Sequence, residues 1–322
     1  MTPGSGPHCS RPAAERGADV STTWTRSSSV CSTVSRPDRS PRSRQNLRRR
    51  QVKMADNPAV LDLKVRYFQD STPADVPCRE EHFIRREFRM NLPVEQTALV
   101  LVDLWNAHFI DSWIERAARV TREAIVPAIE MSRKAGLPVI HAPSPEVARQ
   151  FPQSARNPKA PAPPRGGADW PPPAFRSREG AYRAYRGPRS QPPGIGLHWD
   201  PISDGLTVSP AVEVRDEDVV ITTGAELHEV LAERNVLHLV YAGFATNWCV
   251  LGRDYGIRSM ARYGYNIVFL RDCTAGVEFP DTLDELFVTE IAVREIEQQF
   301  GFSASNQDYF ESCRKIAEGN AD

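Results

Sequence analysis

The chain has 322 residues, 40% of them hydrophobic, and a formal net charge of -1, a size and composition that suit one large or two small domains with a proper core. No run approaches the roughly 18 continuous apolar residues of a membrane span, and the N-terminus has no apolar signal-peptide core, so we expect a soluble, cytoplasmic protein without membrane partners. The six cysteines are far apart and lack CxxC spacing, which argues against a zinc ribbon and a disulfide framework.

Residues 1–53 form a basic Ser/Arg/Pro-rich extension that we predict to be disordered. Eleven of them are Arg or Lys and three are Asp or Glu, and a stretch with so few large aliphatic residues cannot bury enough surface to order itself. The segment resembles an organellar transit peptide, and an over-extended start ahead of Met54 explains it equally well. A nucleic-acid-binding arm has only Arg48-Arg49-Arg50 in its support, so we expect no nucleic-acid partner.

Residues 54–96 are predicted to be irregular, with a short strand at 83–90. From residue 97 onward, apolar runs of strand length alternate with amphipathic segments of helix length, a pattern that predicts βαβ units around a parallel sheet. In chain order the predicted elements are strand 97–103, helix 112–135, strand 137–142, strand 218–223, helix 225–234, strand 237–242, helix 247–262, strand 265–270, helix 281–299 and helix 305–317.

A Pro/Arg/aromatic-rich insertion at 145–215 interrupts this alternation within a domain that otherwise spans 97–318. Residues 151–200 contain many prolines, several aromatic residues and more basic than acidic side chains. A segment of this length without regular structure is usually a functional lid, an interface loop or disorder. We therefore expect either a lid or subunit arm, or a disordered loop.

One cysteine stands where the strand at 237–242 turns into the next helix. The segment GFATNWCV places Cys249 after a glycine turn, and Thr246 and Asn247 are both good N-cap residues. A helix N-terminus stabilises a thiolate, the reactive form of cysteine, and its N–H groups can hold an oxyanion during acyl transfer. A buried structural cysteine is the alternative.

Three segments resemble the isochorismatase-like cysteine hydrolases, a family that includes nicotinamidases and carbamoylsarcosine amidases. The segment ALVLVDLWNAHF resembles the family's first strand, which ends in a catalytic aspartate, here Asp103. The segment GFATNWCV resembles its nucleophile turn, with Cys249 as nucleophile, and RYGYNIVFLRDCTA is similar to the strand after the nucleophile helix. The resemblance covers roughly residues 95–300.

The resemblance implies a three-layer α/β/α sandwich around a mainly parallel, Rossmann-like sheet, with the site at the carboxyl ends of the strands. It also implies a cis peptide between Phe244 and Ala245, which aims the N–H groups of Ala245 and Cys249 at one oxyanion position. The expected substrate is a small molecule, the expected assembly is a homo-oligomer, and neither a cofactor nor a metal is expected.

The sequence departs from the family at its third catalytic residue, a lysine near the end of the strand before the nucleophile strand. Thr223 occupies the best-matching position, and no lysine occurs between Lys159 and Lys315. The cation that would pair with Asp103 and lower the pKa of the thiol is therefore missing, unless an arginine or a histidine replaces it.

Arg253 is one candidate for the missing cation. It lies one helical turn after Cys249 and so projects near the same face of the predicted helix. A structural ion pair to Asp254 or Asp272 is the alternative.

Two histidines and three aromatic residues are further candidates for the pocket. His108 and His141 stand near the carboxyl ends of strands, although a lone histidine is more often a structural residue. In the insertion, His198 and Asp200 can close over the pocket. Aromatic side chains can form its wall, with core packing as the alternative: Trp105, Phe109 and Trp248.

These residues predict a cysteine hydrolase that cleaves a C–N, amide-type bond of a small molecule through a thioester. Cys249 attacks the carbonyl carbon, and Asp103 accepts the thiol proton and returns it to the leaving amine. The alternative is a catalytically impaired protein of the same fold that binds a metabolite or a partner, with the missing lysine as its main support. An enol-ether hydrolase, like the isochorismatases proper, ranks behind both.

Overall fold

The structure, a computed structural model, describes residues 59–157 and 202–319. Contacts divide the chain into two units, Met1–Lys53 and Met54–Asp322, and every described residue belongs to the second. The predicted disordered extension and residues 158–201 of the predicted insertion lie outside the described residues.

One sheet runs through the described part of the chain. Its strands are β1 (Val60–Gln69), β2 (Ile84–Pro93), β3 (Thr97–Val102), β4 (Val139–Ala142), β5 (Val219–Val220), β6 (His238–Phe244), β7 (Asn266–Ala275) and β8 (Phe302–Ala304). They lie in the order β2-β1-β8-β7-β6-β3-β4-β5. The strands from β8 to β5 are mutually parallel, and β1 pairs antiparallel with both β8 and β2. The predicted mainly parallel sheet is confirmed.

Helices cover both faces of this sheet. They are α1 (Asp111–Val120), α2 (Val126–Lys134), α3 (Pro145–Ala148), α4 (Gly224–Glu233), α5 (Ile257–Arg262), α6 (Phe287–Glu295) and α7 (Asn306–Gly319). Further helical turns are Glu80–His82, Val94–Gln96, Thr121–Ile125, Pro152–Arg156, Thr246–Val250 and Ile296–Phe300. None of the helices within 59–157 and 202–319 is long and apolar enough to cross a membrane.

Two separate hydrophobic clusters fill the space between the helices and the sheet. One contains Trp113 and Ile129 from the first helices together with Tyr309 of α7. The other contains Leu227 of α4 and Met260 of α5. Because side chains of a buried strand alternate between its two faces, the central strands β3, β4, β6 and β7 contribute to both clusters, and the result is the predicted α/β/α sandwich.

The N-terminal part of the described chain corrects one expectation. The short strand expected at 83–90 is present as β2, but the rest of residues 54–96 was expected to be irregular, and β1 is instead a second strand of 10 residues that pairs with β2 along its whole length. Leu61, Leu63 and Val65 are buried and alternate with more exposed residues along β1. This two-residue period is the signal of a strand with one buried face.

Two predicted helices also need correction. The helix expected at 247–262 is broken into the turn Thr246–Val250 and α5, with Arg253 to Gly256 between them. A Cβ atom on Gly256 would lie 2.7 Å from the carbonyl oxygen of Val250, so the chain folds back closely at this break. The helix expected at 281–299 begins six residues later, at Phe287, because Asp281 to Leu286 form turns.

Candidate active site

The site lies where the carboxyl ends of three neighbouring parallel strands meet. Val102 of β3 pairs with Ala142 of β4 on one side and with Gly243 of β6 on the other. Asp103 follows β3 directly, and its N–H donates to the carbonyl oxygen of Ala142 at 3.1 Å. Ligands of open α/β sheets bind at such strand ends.

Gly243 allows β6 to approach β3 at this point. Its φ is +121°, and a Cβ atom there would lie 2.1 Å from the carbonyl oxygen of Val102, so only glycine fits. The next peptide bond, between Phe244 and Ala245, is cis, at the position where the resemblance implies one. Asp103 also has a positive φ, 45°, a conformation that is uncommon outside glycine and concentrates at functional sites.

The cysteine segment is fixed to β7 and to the chain that follows it. The hydroxyl of Thr274 donates to the carbonyl oxygen of Gly243 at 2.8 Å, which leaves Thr246 to donate to Thr274 at 2.6 Å. The amide of Asn247 bonds the N–H and the C=O of Val277 at 2.9 and 3.1 Å. These bonds set the position of Cys249 independently of any long helix.

Asp103, Cys249 and Arg253 form one buried cluster. Asp103 is 1% exposed, and its Oδ2 accepts a hydrogen bond from Nε of Arg253 at 3.0 Å. The thiol of Cys249 lies close enough to the same carboxylate for each group to shift the pKa of the other, and the N–H of Ala245 lowers the pKa of that thiol. The structure therefore brings together four of the predicted site residues.

Burial and charge keep the resting thiol protonated. Burial, followed by the negative charge of Asp103, raises the pKa of Cys249 to about 12, although Arg253 and the N–H of Ala245 act in the opposite direction. Burial likewise raises the pKa of Asp103 above its ordinary value, against the opposing effects of Arg253 and Cys249. The expectation that a helix N-terminus ionises the sulfur is thus wrong for this state, because the helical turn is short and the sulfur is largely buried.

Arg253 pairs with Asp103 and with neither of the acids considered from the sequence. Asp254 instead accepts the N–H of Gly224 at 2.8 Å, and Asp272 accepts the N–H of Asn306 at 2.8 Å. Burial is the largest single effect and would lower the pKa of Arg253, but Asp103, Tyr255 and Cys249 together outweigh it and raise the pKa. A guanidinium next to the carboxylate and the thiol is therefore a permanent positive charge.

Thr223 has a different environment from the one expected of a catalytic residue. It is the N-cap of α4, and its side chain accepts a hydrogen bond from the N–H of Glu226 at 3.1 Å. This is the usual role of threonine at a helix start.

An aromatic group lies beside the cysteine. The His108 ring lies 4.4 Å from that of Phe109, 4.5 Å from Trp113 and 6.3 Å from Trp248, and the Arg253 guanidinium lies 5.8 Å from the centre of the Trp105 ring. Burial lowers the pKa of His108 to about 4, so this histidine is neutral at pH 7. Trp248 is 43% exposed. The structure thus brings His108 and the three predicted aromatic residues to the site, and it adds Trp113.

His141 contributes to a separate network. Its Nε2 lies 3.0 Å from Oδ2 of Asp218, which also accepts from Arg133 at 2.6 Å and from the N–H of Arg215 at 2.9 Å. The structure gives this histidine a structural partner, Asp218, in place of the predicted position at the pocket. His198 and Asp200 lie outside the described residues.

A family model provides the one similarity found by sequence. The model of the isochorismatase domain matches residues 194–301, about a third of the chain. The match includes Cys249 and Arg253, while Asp103 precedes it. A comparison with curated proteins finds no significant match.

Several solved structures are similar to this chain. A cysteine hydrolase from Pseudomonas syringae pv. phaseolicola is 16% identical, over 70% of this chain and 95% of its own, with a TM-score of 0.44. An isochorismatase family protein from Burkholderia thailandensis is 20% identical over 68% and 96%, with a TM-score of 0.40. A nicotinamidase from Staphylococcus aureus is 14% identical over 65% and 98%, with a TM-score of 0.35.

Sequence reasoning missed one residue that touches the cluster. The hydroxyl of Tyr255 lies 3.2 Å from Oδ1 of Asp103. The prediction of an unbroken helix hid it, because Tyr255 and Cys249 are six residues apart and would lie about 120° apart around such a helix, on different faces. Gly256, directly after Tyr255, is the signal that could have indicated the break.

Residues 59–157 and 202–319 contain no group of three or more His, Cys, Asp or Glu residues placed to hold a metal ion. Nor does the cluster itself have a metal-ligand pattern, since its members are one carboxylate, one thiol and one guanidinium, and an arginine is not a metal ligand.

Proposed function

We propose that the chain is a cysteine hydrolase that cleaves a C–N, amide-type bond of a small molecule. The observation that supports this is the buried carboxylate of Asp103, which pairs with Arg253 at 3.0 Å through Oδ2 and lies close enough to the thiol of Cys249 for each group to shift the pKa of the other. A thiol next to a buried base, with the base held by a third group, is the geometry of an activated nucleophile.

The first step in this proposal is general-base attack. Because its pKa is raised to about 12, Cys249 holds its proton at neutral pH and releases it to Asp103 as the sulfur bonds the carbonyl carbon. Burial raises the pKa of Asp103, which makes it a stronger base than an exposed aspartate once it is ionised.

The backbone next to the cysteine supplies the proposed oxyanion site. The carbonyl oxygen of Ala245 accepts hydrogen bonds from the N–H groups of Trp248 and Val250. The N–H of Cys249, which lies between these two residues, does not donate to that oxygen. The N–H groups of Ala245 and Cys249 would then stabilise the negative oxygen of the tetrahedral intermediate.

Collapse of that intermediate breaks the C–N bond, and protonated Asp103 donates its proton to the departing nitrogen. A water molecule then attacks the thioester, with Asp103 accepting one of its protons. The carboxylic acid leaves, and the proton returns to the sulfur, so that Cys249 and Asp103 end the cycle as they began it.

Arg253 is our proposed substitute for the family lysine. Its 3.0 Å contact with Oδ2 favours the ionised form of Asp103, and its charge also favours the thiolate of Cys249. Thr223 has the position of the lysine in the sequence, but its side chain caps α4. The proposed catalytic set is therefore Cys249, Asp103 and Arg253.

Aromatic rings would form the wall of the substrate pocket. Trp105 lies beside Arg253, and Trp248 and Phe109 lie beside His108. Such walls bind a small, planar and largely uncharged group well. Placement of this domain at 97–318, homo-oligomeric assembly and a cytoplasmic location stay predictions from the sequence and the resemblance.

The rival proposal, a non-catalytic binding module, had the missing lysine as its main support. The contact between Arg253 and Asp103 weakens that support, because it supplies a cation of another kind at the carboxylate. We therefore favour the hydrolase.

The test is ammonia release from a panel of small primary amides by the full-length protein and two alanine variants. Cys249→Ala should lose at least about 10⁴-fold in kcat/KM, because the nucleophile is removed. Cys313→Ala removes a fully buried thiol on α7 and should retain activity. A Cys249→Ala protein as active as the unaltered chain would exclude the thiol mechanism, and an unaltered chain that binds amides without hydrolysing them would favour the binding module.

A further inference from the structure

The hydroxyl of Tyr255 faces two acceptors at once. It lies 2.9 Å from the carbonyl oxygen of Pro143, just after β4, and 3.2 Å from Oδ1 of Asp103, just after β3. A phenol has one proton and can donate one full hydrogen bond at a time. The structure therefore offers this proton two alternative partners, and one of them is the proposed catalytic base.

The ring of Tyr255 is held in place by packing while its hydroxyl proton is free to rotate. Tyr255 is 1% exposed. Burial raises the pKa of Tyr255 well above its ordinary value, so the phenol keeps its proton and acts as a donor. Rotation about its C–O bond moves the proton from one acceptor to the other without moving the ring.

Resting on the proposed function, we propose that Tyr255 is a positioning residue for Asp103. Its hydroxyl donates to Oδ1 while Asp103 is ionised, and it turns to the carbonyl oxygen of Pro143 when Asp103 holds the proton taken from Cys249. Tyr255 thus stabilises Asp103 while it is ionised and ready to accept the thiol proton. It withdraws its hydrogen bond when Asp103 is protonated and must donate that proton to the leaving nitrogen.

The direction of this switch follows from the strength of the two bonds. A hydrogen bond to an ionised carboxylate is about twice as strong as one to a neutral group, so the ionised acid wins the proton of Tyr255. Once Asp103 is neutral, its oxygen is the weaker acceptor, and the closer Pro143 carbonyl takes over. A buried hydroxyl left without an acceptor would be costly, and the second acceptor avoids that cost.

The groups that face Asp103 are few. Within the described residues, the charged or titratable side chains in contact with its carboxylate are Arg253, Cys249 and Tyr255, all from the segment that follows β6. Of these, Arg253 keeps its charge and Cys249 supplies the proton. The switch is therefore assigned to Tyr255 alone.

The experiment compares Tyr255→Phe with Tyr241→Phe in the full-length protein. Both remove one buried phenol hydroxyl, but only Tyr255 touches Asp103. The first measurement is the titration of the Asp103 carboxyl by carbon NMR in aspartate-labelled protein, with the resonance assigned by Asp103→Asn. The second is the pH profile of kcat/KM for amide hydrolysis.

Tyr255→Phe should move both the carboxyl midpoint and the acid limb of kcat/KM to higher pH, since the ionised acid loses a donor. On the acid limb the loss should be about tenfold, and it should shrink as pH rises and Asp103 ionises without help. Tyr241→Phe should leave both curves in place. Replacing Tyr255 by 3-fluorotyrosine, a stronger donor, should move them to lower pH.

A midpoint that stays in place in Tyr255→Phe, or that moves equally in Tyr241→Phe, overturns the proposal. So does a uniform loss of activity at every pH, which is the signature of a structural role. If the unaltered chain hydrolyses no amide, the proposed function falls, and the carboxyl titration still decides whether Tyr255 stabilises ionised Asp103.

Discussion

Two buried carboxylates of this domain have similar partners and opposite behaviour. Asp103 and Asp218 each pair with an arginine, at 3.0 and 2.6 Å, and both side chains are 2% exposed. The pKa of Asp103 is raised because burial dominates. Burial also opposes ionisation of Asp218, but hydrogen bonds from His141, the N–H of Arg215 and Arg133 outweigh it, and its pKa is lowered.

The difference lies in how completely each acid is supplied with donors. Three strong donors converge on Oδ2 of Asp218. None of these donors takes part in the proposed reaction. The donors of Asp103 include a thiol that reacts and a phenol that has another acceptor. A carboxylate with a full set of hydrogen-bond donors stays ionised and stabilises the fold. A carboxylate with fewer donors can exchange a proton.

Replacing each aspartate by neutral asparagine should separate the roles of Asp103 and Asp218 most clearly. Asp103→Asn should lower kcat/KM by about 10³-fold because the general base is lost. Its unfolding free energy at pH 7 should change little, since burial already disfavours the charge. Asp218→Asn should keep its activity within about threefold and lose about 3 kcal/mol of stability, because Arg133 loses its buried partner.

Activity assays and urea unfolding of the two variants check this prediction. The stability that ionised Asp218 contributes should be present at neutral pH and disappear as pH falls through its lowered pKa, whereas Asp218→Asn should lack that dependence. Similar losses of activity in both variants would mean that the two carboxylates do not have separate roles.

The local parts of this site are readable from the sequence. An apolar run that ends in Asp103 and a glycine turn that leads to Cys249 are short-range patterns, and the register of β3 and β6 brings their ends together. Contacts between distant segments are harder to read in this way. Arg253, which lies 150 residues from Asp103, was one candidate among several for its partner, and the contact of His141 with Asp218, 77 residues away, was not predicted.

The helix break after Cys249 and strand β1 were not predicted for the same physical reason: tertiary contacts override the local preference of a segment for helix or loop. The apolar residues after Cys249 favour one helix, but the close contact at Gly256 ends it and places Tyr255 at the carboxylate. Similarly, charged residues between Leu61, Leu63 and Val65 disguised β1, whose partners lie in β2 and β8.

A second way to break the comparison is to change the two arginines. Arg253→Gln should lower kcat/KM by about 100-fold, since a charge that stabilises ionised Asp103 and the thiolate is removed. The acid limb should also move to higher pH, because Arg253 lowers the pKa of Asp103. Arg253→Lys retains the charge without the planar fork and should lose about tenfold.

Arg133→Gln is the matched control on the Asp218 side. It should leave the pH profile of kcat/KM unchanged and reduce the unfolding free energy. If Arg253→Gln were destabilised to the same extent with normal activity, the pair of Arg253 and Asp103 would be structural like the pair of Arg133 and Asp218.

The smallest expected effect concerns the histidines of the two regions. His141 has Asp218 as its partner, while His108 lies among aromatic rings and has its pKa lowered by burial to about 4. Between the usual histidine pKa of about 6.5 and this value, the unfolded chain binds a proton that the folded chain does not. The unfolding free energy should therefore fall as pH is lowered through this range, and His108→Gln should make that fall shallower.

His82→Gln, in the helical turn Glu80–His82, controls for the loss of a histidine elsewhere. Urea titrations across the range measure the slope, and equal slopes in the unaltered protein and His108→Gln would show that the Asp103 region does not exclude positive charge from its aromatic neighbours.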